Sequence, residues 1–291
     1  MNRLPLDRFT QRTLPSLLLA TATRFPERAF IHWISPANPA AGPLPITFGG
    51  FARGVSRAAA FLRARGVGPG DRVLLLAENS PQWQMLSLGA QILKAEPAAL
   101  FANLAAEQAR TIAGRVRPRA IFVSTAQQWA KLAPDLDGLR AAGLTAVICA
   151  EQLPELAPGF SATTLEEVCG EGATELEASD LARLVAAVGA EDPFLLLFTS
   201  GTTGRPKGVR LPQRSVVHAI DGGAGACRTT VGDLGVHFLP FAHVAGQDEF
   251  FIALAQGHSL AMVARKDDLD RALALSPTYL FSVPLLYERM M

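Results

Sequence analysis

The sequence predicts an α/β fold in which parallel sheets are covered by helices on both faces. Short, continuously apolar runs occupy residues 73–77, 98–101, 120–123 and 146–149, and helical patterns separate them. Strands that are apolar along their whole length are typical of parallel sheets buried on both faces. The chain has 291 residues, 49% of them hydrophobic, which suffices for one large or two modest domains.

The elements before the first apolar run are predicted to be mainly helical. Residues 13–15 open an amphipathic helix that ends within residues 24–29. A signal peptide is disfavoured because Arg24 interrupts the short apolar run. Residues 46–48 predict a short strand or turn, and apolar side chains then recur at helical spacing over residues 51–62.

The later elements follow the same alternation. Ser80 is a plausible N-cap with Pro81 at the first helical position, so a helix is expected after the strand at 73–77. Further helices are expected near residues 107–116, 127–132, 180–188 and 213–220, with a strand at 236–240. Residues 151–180 are weakly patterned and predict a surface excursion, while residues 221–226 are small and are expected to be flexible.

Composition limits the classes of partner and compartment. A net charge of +1 argues against nucleic acid, because no basic excess exists to release counterions. No apolar run is long enough to cross a bilayer, so no transmembrane segment is expected. Cys149, Cys169 and Cys227 show no CxxC spacing, which predicts neither a disulfide framework nor a zinc site and favours a reducing, cytoplasmic location.

Residues 199–208 carry the most specific chemistry in the chain. Glycines that adopt positive φ can turn backbone N–H groups inward, and hydroxyls and cations add further donors to a polyphosphate. The segment has three glycines, four hydroxyl residues and two cations: Gly201, Gly204, Gly208, Thr199, Ser200, Thr202, Thr203, Arg205 and Lys207. It predicts a phosphate-binding loop. It is not a Walker A motif, because Pro206 precedes Lys207 and Gly208 follows it.

The unbroken run from Thr199 to Gly208 resembles the signature loop of the adenylate-forming superfamily, which includes acyl-CoA synthetases, adenylation domains of peptide synthetases and luciferases. The resemblance implies that Lys207 and Thr202 are catalytic. It also implies a set of phosphate-binding residues: Thr199, Ser200, Gly201, Thr202, Thr203, Gly204, Lys207 and Gly208. A helix at residues 213–220 is expected to bring its N-terminus to the end of this loop.

A second matching segment runs from Leu239 to His243 and resembles long-chain fatty acyl-CoA synthetases. It implies that His243 and Gly246 line the acid-binding pocket, although a structural role for His243 is equally well supported. Residues 283–288 resemble the helix start before the acyl tunnel of the same subgroup. His237 and His243 do not predict a metal site, because no carboxylate or thiol lies at ligand spacing. Glu96 replaces a usual glycine, with a cost expected to stay local to its turn.

The resemblance implies a two-step reaction. A carboxylate attacks the α-phosphorus of ATP to give acyl-AMP and pyrophosphate, and a thiol, usually that of coenzyme A, then displaces AMP. ATP, coenzyme A and a medium- or long-chain fatty acid are the expected small molecules, with Mg²⁺ bridging phosphate oxygens and no protein metal ligands. Loop N–H, O–H and Lys207 groups suit the charge that develops as pyrophosphate departs.

Other segments of the superfamily have no match after residue 209. These are the aromatic-Gly-x-Thr-Glu segment, the ribose-binding Asp and the C-terminal domain with its lysine. The sequence therefore predicts an incomplete N-terminal portion of an adenylate-forming core. The expected first α/β region covers residues 1–190. Residues 191–291 are expected to hold the phosphate loop and the start of a second α/β region. Residues 1–50 are a candidate for packing on that second region.

An incomplete core is expected to self-associate through its exposed face. Three other functions remain open. An acyl-AMP ligase could deliver to a carrier protein instead of coenzyme A. A non-catalytic remnant could bind nucleotide or acyl chain without turnover. An unrelated α/β protein with a convergent loop would hydrolyse ATP without any acid.

Overall fold

The computed structural model describes residues 13–199 and 206–282, which form two β-sheets packed against helices. The strands are β1 (Ala29–Ile34), β2 (Leu44–Thr47), β3 (Arg72–Leu76), β4 (Glu96–Leu100), β5 (Ala120–Val123), β6 (Ala146–Cys149), β7 (Thr163–Thr164), β8 (Pro193–Thr199), β9 (Lys207–Pro212), β10 (Leu234–His237), β11 (Ser259–Val263) and β12 (Tyr279–Leu280). The helices are α1 (Leu14–Arg24), α2 (Phe48–Ala64), α3 (Pro81–Ile92), α4 (Ala106–Val116), α5 (Ala126–Ala130), α6 (Leu136–Ala141), α7 (Leu165–Cys169), α8 (Ala178–Ala186), α9 (Gln213–Cys227), α10 (Val244–Gln256) and α11 (Leu269–Leu273).

Both sheets are mostly parallel. The larger has seven strands in the order β7-β6-β5-β3-β4-β8-β9, and the smaller has five in the order β12-β10-β11-β1-β2. The two antiparallel pairs are the β8–β9 hairpin and β1–β2. The predicted α/β fold is therefore confirmed, as are the four apolar strands and the Ser80 cap, whose hydroxyl accepts a hydrogen bond from the Trp83 N–H at 3.1 Å.

Alternation along the strands divides the core into layers. Leu74 and Leu76 of β3 face a cluster formed with α4 and α6, whereas Val73 and Leu75 face the opposite cluster, which contains α2 and α3. In the smaller sheet, alternate residues of β11 join that same central cluster or a third one against α11. Because side chains alternate with a period of two, one central helical layer covers a face of each sheet.

Strand pairing crosses the predicted division at residue 190 in both directions. β8 and β9 follow that residue but pair within the larger sheet, beside β4. β1 and β2 lie within residues 1–50 but pair within the smaller sheet, through β11. The division into two regions stays a prediction, and the two sheets do not follow it.

The central helix α3 is buried on almost every side, whereas the sequence predicted only one apolar face. Every residue of Pro81–Ile92 except Gln82 is buried. Its closest neighbour is α2, where an added Cβ at Gly89 would lie 2.9 Å from the backbone nitrogen of Ala59. The two helices approach this closely because glycine carries no side chain at the crossing.

Polar side chains on α3 bind the surrounding elements. Gln84 Nε2 donates to Gln247 Oε1 of α10 at 2.9 Å, and Gln91 Oε1 accepts from Gln213 Nε2 of α9 at 2.9 Å. Gln213 in turn accepts from the Leu14 N–H of α1 at 2.9 Å. Buried amides are costly unless paired, so these bonds fix which helices meet at α3.

Two predicted segments differ from the structure. Residues 221–226, expected to be flexible, continue α9, whose apolar side chains Val216, Val217 and Ile220 are buried. Residues 151–180, expected to be a surface excursion, include β7 and α7, and Val168 and Cys169 enter the central core. Tertiary burial outweighs the weak local preferences in both segments.

We expect Gly89→Ala to lower the free energy of unfolding by about 1–3 kcal/mol, because the new methyl group overpacks the α2–α3 crossing. Gly114→Ala is the matched control in α4, where no atom lies within 4 Å of an added Cβ, and it should be neutral or stabilising by up to about 1 kcal/mol. Urea unfolding measures both, and equal stabilities for the two variants would contradict the close crossing.

Candidate active site

The predicted phosphate loop connects the two strands of the β8–β9 hairpin. β8 runs parallel to β4, and the hairpin register pairs Thr199 with Lys207 at the loop end and Pro193 with Pro212 at the far end. The two ends of the loop, Thr199 and Lys207, therefore lie at the carboxyl edge of the larger sheet. Ligands of open α/β sheets bind at that edge. Five predicted site residues lie outside the described residues: Ser200, Gly201, Thr202, Thr203 and Gly204.

Gly208 has a different physical role from the one the sequence suggested. It was expected to supply positive φ, but it lies in β9 without a left-handed backbone. An added Cβ would lie 3.1 Å from Leu196 Cδ1 and 3.4 Å from Phe198 Cε1. Glycine at this position therefore lets β9 pack closely against side chains of β8.

The expected helix N-terminus does not meet the loop. The rest of β9, residues 208–212, separates Lys207 from the start of α9 at Gln213. Because β9 is antiparallel to β8, this start lies at the opposite edge of the sheet, beside Pro193. The expectation that α9 contributes its dipole to the phosphate site was therefore wrong.

Two arginines anchor the residues on either side of Lys207. Arg115 of α4 donates through Nη1 to the Pro206 carbonyl at 3.3 Å. On the other side, Arg210 Nε lies 2.6 Å from Glu96 Oε1. Lys207 itself is exposed and is held between these contacts, so its backbone is fixed while its ammonium can reach a ligand.

Glu96 reaches beyond its own turn, contrary to expectation. Its side chain is 3% exposed and lies between Arg210 of β9 and Arg72 of β3, whose Nε is 3.1 Å from Oε2. A buried carboxylate is tolerated when both oxygens are paired. Glu96 therefore connects the hairpin to the centre of the larger sheet.

A cleft of about 680 Å³ lies where the carboxyl ends of both sheets meet. Residues 77–79 and 101–103 form one wall, after β3 and β4, and residues 238 and 240–242 form the other, after β10. Its apolar lining includes Phe101, Phe238 and Phe241. β4 is the neighbour of β8, so the loop and the cleft share one edge of the larger sheet.

Asn79 holds the far wall of this cleft. Its amide nitrogen donates to the Leu239 carbonyl at 2.8 Å, and its oxygen accepts from the Phe241 N–H at 3.0 Å. These two bonds join the end of β3 to the segment after β10. This contact was not predicted from the sequence.

The predicted pocket residues His243 and Gly246 begin α10. His243 is exposed and caps the helix, because its Nδ1 accepts from the Ala245 N–H at 3.1 Å. Gly246 is buried, and an added Cβ would lie 2.5 Å from the Pro240 carbonyl oxygen. Both residues shape the wall formed by residues 240–242, and their contact with a substrate stays a prediction.

Behind that wall, two buried histidines each pair with another side chain. His237 Nδ1 is 2.8 Å from Glu249 Oε2, and both side chains are almost completely buried. Burial raises the pKa of Glu249, although the hydrogen bond from His237 opposes this effect. His258 Nε2 is 2.8 Å from the Tyr279 hydroxyl, and burial lowers the pKa of His258 to about 4.

Within residues 13–199 and 206–282, no group of three or more His, Cys, Asp or Glu is arranged to hold a metal ion. In the same residues, no helix has the length and apolar character needed to cross a membrane.

The ends of the hairpin loop and the cleft lie at the carboxyl edge, where open α/β folds bind their ligands. The chain belongs to the AMP-binding enzyme family, which matches residues 18–291.

Individual relatives agree with this assignment. A long-chain-fatty-acid–CoA ligase of Mycobacterium bovis is 29% identical over 84% of this chain and 40% of its own length. The ligase heimdall of Drosophila melanogaster, also named for long-chain fatty acids and CoA, is 30% identical over 96% of this chain and 42% of its own. The N-terminal domain of FACL13 from Mycobacterium tuberculosis has the same fold, with a TM-score of 0.69 and 23% identity over 96% of this chain and 65% of its own. The chain thus spans about two fifths of the curated relatives.

We expect Glu96→Gln to destabilise the protein by about 1–3 kcal/mol, because Arg72 and Arg210 lose their shared carboxylate. Amide hydrogen exchange should become faster in β9. Glu191→Gln is the matched control, since its pair with Arg214 is largely exposed and should contribute less than about 1 kcal/mol. Unchanged exchange in β9 would show that Glu96 does not hold the hairpin.

We expect His258 to make the fold sensitive to acid. Its pKa is about 4 in the folded chain against 6.5 ordinarily, so the unfolded chain binds the proton more readily. Its contribution to stability is therefore complete above pH 6.5 and is lost as the pH falls towards 4. The free energy of unfolding, measured across this range, should fall less steeply in His258→Gln than in the wild type, and parallel curves would refute this assignment.

Proposed function

We propose that the chain supplies the phosphate- and acid-binding part of an ATP-dependent acid–thiol ligase. A carboxylic acid would be converted to acyl-AMP with release of pyrophosphate, and the acyl group would then pass to the thiol of coenzyme A. The observation that carries this proposal is the β8–β9 hairpin, whose loop ends lie at the carboxyl edge of the sheet that also borders a cleft with apolar and polar side chains. The family assignment and the names of the relatives support it.

In the proposed first step, a carboxylate oxygen forms a bond to the α-phosphorus of ATP and the bond to the β-phosphate bridge breaks. Negative charge then accumulates on the departing pyrophosphate. Lys207 and the loop donors Thr199, Ser200, Gly201, Thr202, Thr203 and Gly204 are the proposed groups that stabilise it. Support comes from the fixed backbone on both sides of Lys207, provided by Arg115 and Glu96.

Mg²⁺ would neutralise phosphate charge in this reaction when bound. Thr199 and Lys207 bring a hydroxyl and an ammonium group to the two ends of the loop, and the described residues hold no cluster of three or more His, Cys, Asp or Glu. The fit is therefore to a cation held mainly by ATP phosphate oxygens. The acid would be a medium- or long-chain fatty acid, in keeping with Phe101, Phe238 and Phe241 on the cleft walls.

The acceptor thiol could instead belong to a carrier protein, since nothing in the described residues favours one thiol over the other. We also retain the predictions of a cytoplasmic location and of self-association. In the described part of the chain, β9 is an edge strand and Val209 on it is 44% exposed, which supports pairing between copies. Light scattering tests this association, and a monodisperse monomer would contradict it.

We expect Lys207→Ala to reduce acid-dependent pyrophosphate–ATP exchange by about a hundredfold, because one donor to the departing phosphates is removed. Arg183→Ala, on the exposed face of α8, is the control for loss of a cation and should retain wild-type exchange. Equal exchange in Lys207→Ala and wild type would remove Lys207 from the mechanism.

The same assay separates the remaining alternatives. ATP hydrolysis that needs no acid would indicate an unrelated nucleotide-binding protein with a convergent loop. ATP binding without exchange, across acids of different chain length, would indicate a non-catalytic remnant.

A further inference from the structure

A second, smaller cavity lies behind the cleft wall. It has a volume of about 220 Å³, which corresponds to roughly seven water molecules at about 30 Å³ each. The lining is half apolar and half polar: Ile252, Leu280, Phe281, Thr229, Glu249 and Tyr279. Its size suits the end of a chain or a small ring, not a nucleotide.

Glu249 gives this cavity an unusual polar group. The carboxylate is 3% exposed, and its Oε2 is engaged by His237. Its Oε1 has no hydrogen-bond partner among the described residues, and neither has Nε2 of His237. A buried carboxylate oxygen without a donor is costly, so a ligand that donates to it would relieve that cost.

The net charge of the His237–Glu249 pair determines which kind of ligand group can donate to Oε1 of Glu249. Both side chains are almost completely buried, and beside an uncharged Glu249 a bound ammonium or carboxylate would bring an uncompensated ion into the site. A neutral hydroxyl satisfies Oε1 without this penalty. Burial favours the uncharged form of Glu249, which agrees with a neutral site.

The cavity and the cleft share a dividing wall. The His237 ring stacks on Phe241 with centroids 4.6 Å apart, and Phe241 lines the cleft. Glu249, the hydrogen-bond partner of His237, lines the cavity on the other side. The His237–Phe241 stack and Glu249 therefore lie between the two spaces.

We propose that this cavity receives a hydroxyl group carried by the acyl chain, and that Glu249 selects hydroxy acids over unsubstituted ones. The proposal rests on the proposed ligase function, since it concerns the acid that is activated. Apolar contacts with Ile252, Leu280 and Phe281 would bind the neighbouring methylenes, while Oε1 of Glu249 accepts the hydroxyl hydrogen. Glu249 acts here in specificity and takes no part in the bond changes at phosphorus.

The test compares dodecanoic acid with its ω-hydroxy derivative in pyrophosphate–ATP exchange by the full chain. A site built to bind a substrate hydroxyl discriminates strongly against the analogue without it, so we expect at least about a tenfold lower KM for the hydroxy acid. Glu249→Leu should abolish this preference while the exchange with dodecanoic acid persists. Glu249→Gln, which preserves the shape, should reduce the preference and guards against misfolding of the leucine variant. Glu107→Leu, at an exposed position of α4, is the matched control and should keep the preference.

Calorimetric binding of the same two acids, without ATP, separates this proposal from the proposed function. Equal KM values for the two acids in the wild type, or an unchanged preference in both Glu249 variants, would overturn the proposal while exchange still supported the ligase. Absence of exchange with every acid would contradict the ligase. A hydroxy-acid preference in calorimetry that depends on Glu249 would then still support the cavity.

Discussion

The position of α3 between the two sheets is the constraint on which the rest of the molecule depends. The helix is buried against α2 through Gly89, and its amide side chains bind α9 and α10. Because one helical layer serves both sheets, the carboxyl ends of β3 and β10 face the same space, which Asn79 closes by binding the segment after β10. Without that shared layer, the loop and the cleft walls would belong to separate units.

The hairpin that holds the loop depends on an interaction of a different kind. β9 is an edge strand in the described sheet, with residues 207–210 exposed, so apolar burial contributes little to its position. The Glu96 carboxylate, paired with Arg72 and Arg210, supplies a contact that burial cannot. A buried pair of this kind is weak evidence for overall stability but good evidence for a fixed register. For the proposed role of the loop in binding the departing phosphates, a fixed register of its strands is the more relevant property.

The sequence predicted the parts of this fold that local patterns determine. The apolar runs of β3 to β6 and the Ser80 cap are visible in a short window, and so is the loop from Thr199 to Gly208. Contacts between distant residues were not predictable in the same way. Glu96 and Arg210 are 114 positions apart, and neither shows in sequence that it forms an ion pair. The start of α9 at Gln213 was predicted, but its position at the opposite edge of the sheet was not, because the apolar run after the loop gave no sign of reversing direction as β9. Similarly, an alternating pattern cannot show that His237 and Glu249 face each other across β10 and α10.

The electrostatic contrast between the two ends of the proposed site follows from these contacts. At the loop, Lys207 is exposed and its neighbours Arg115 and Arg210 are occupied, so its charge remains free for a polyanion. Behind the cleft, burial favours the uncharged form of Glu249, and its Oε1 has no hydrogen-bond partner among the described residues. A molecule that spans both regions must therefore be anionic at one end and neutral at the other. An acyl-AMP meets that requirement, and a hydroxyl on its acyl chain would also supply a donor to Oε1 of Glu249, which is why substitution of Glu249 most directly tests the proposed selection of the acid.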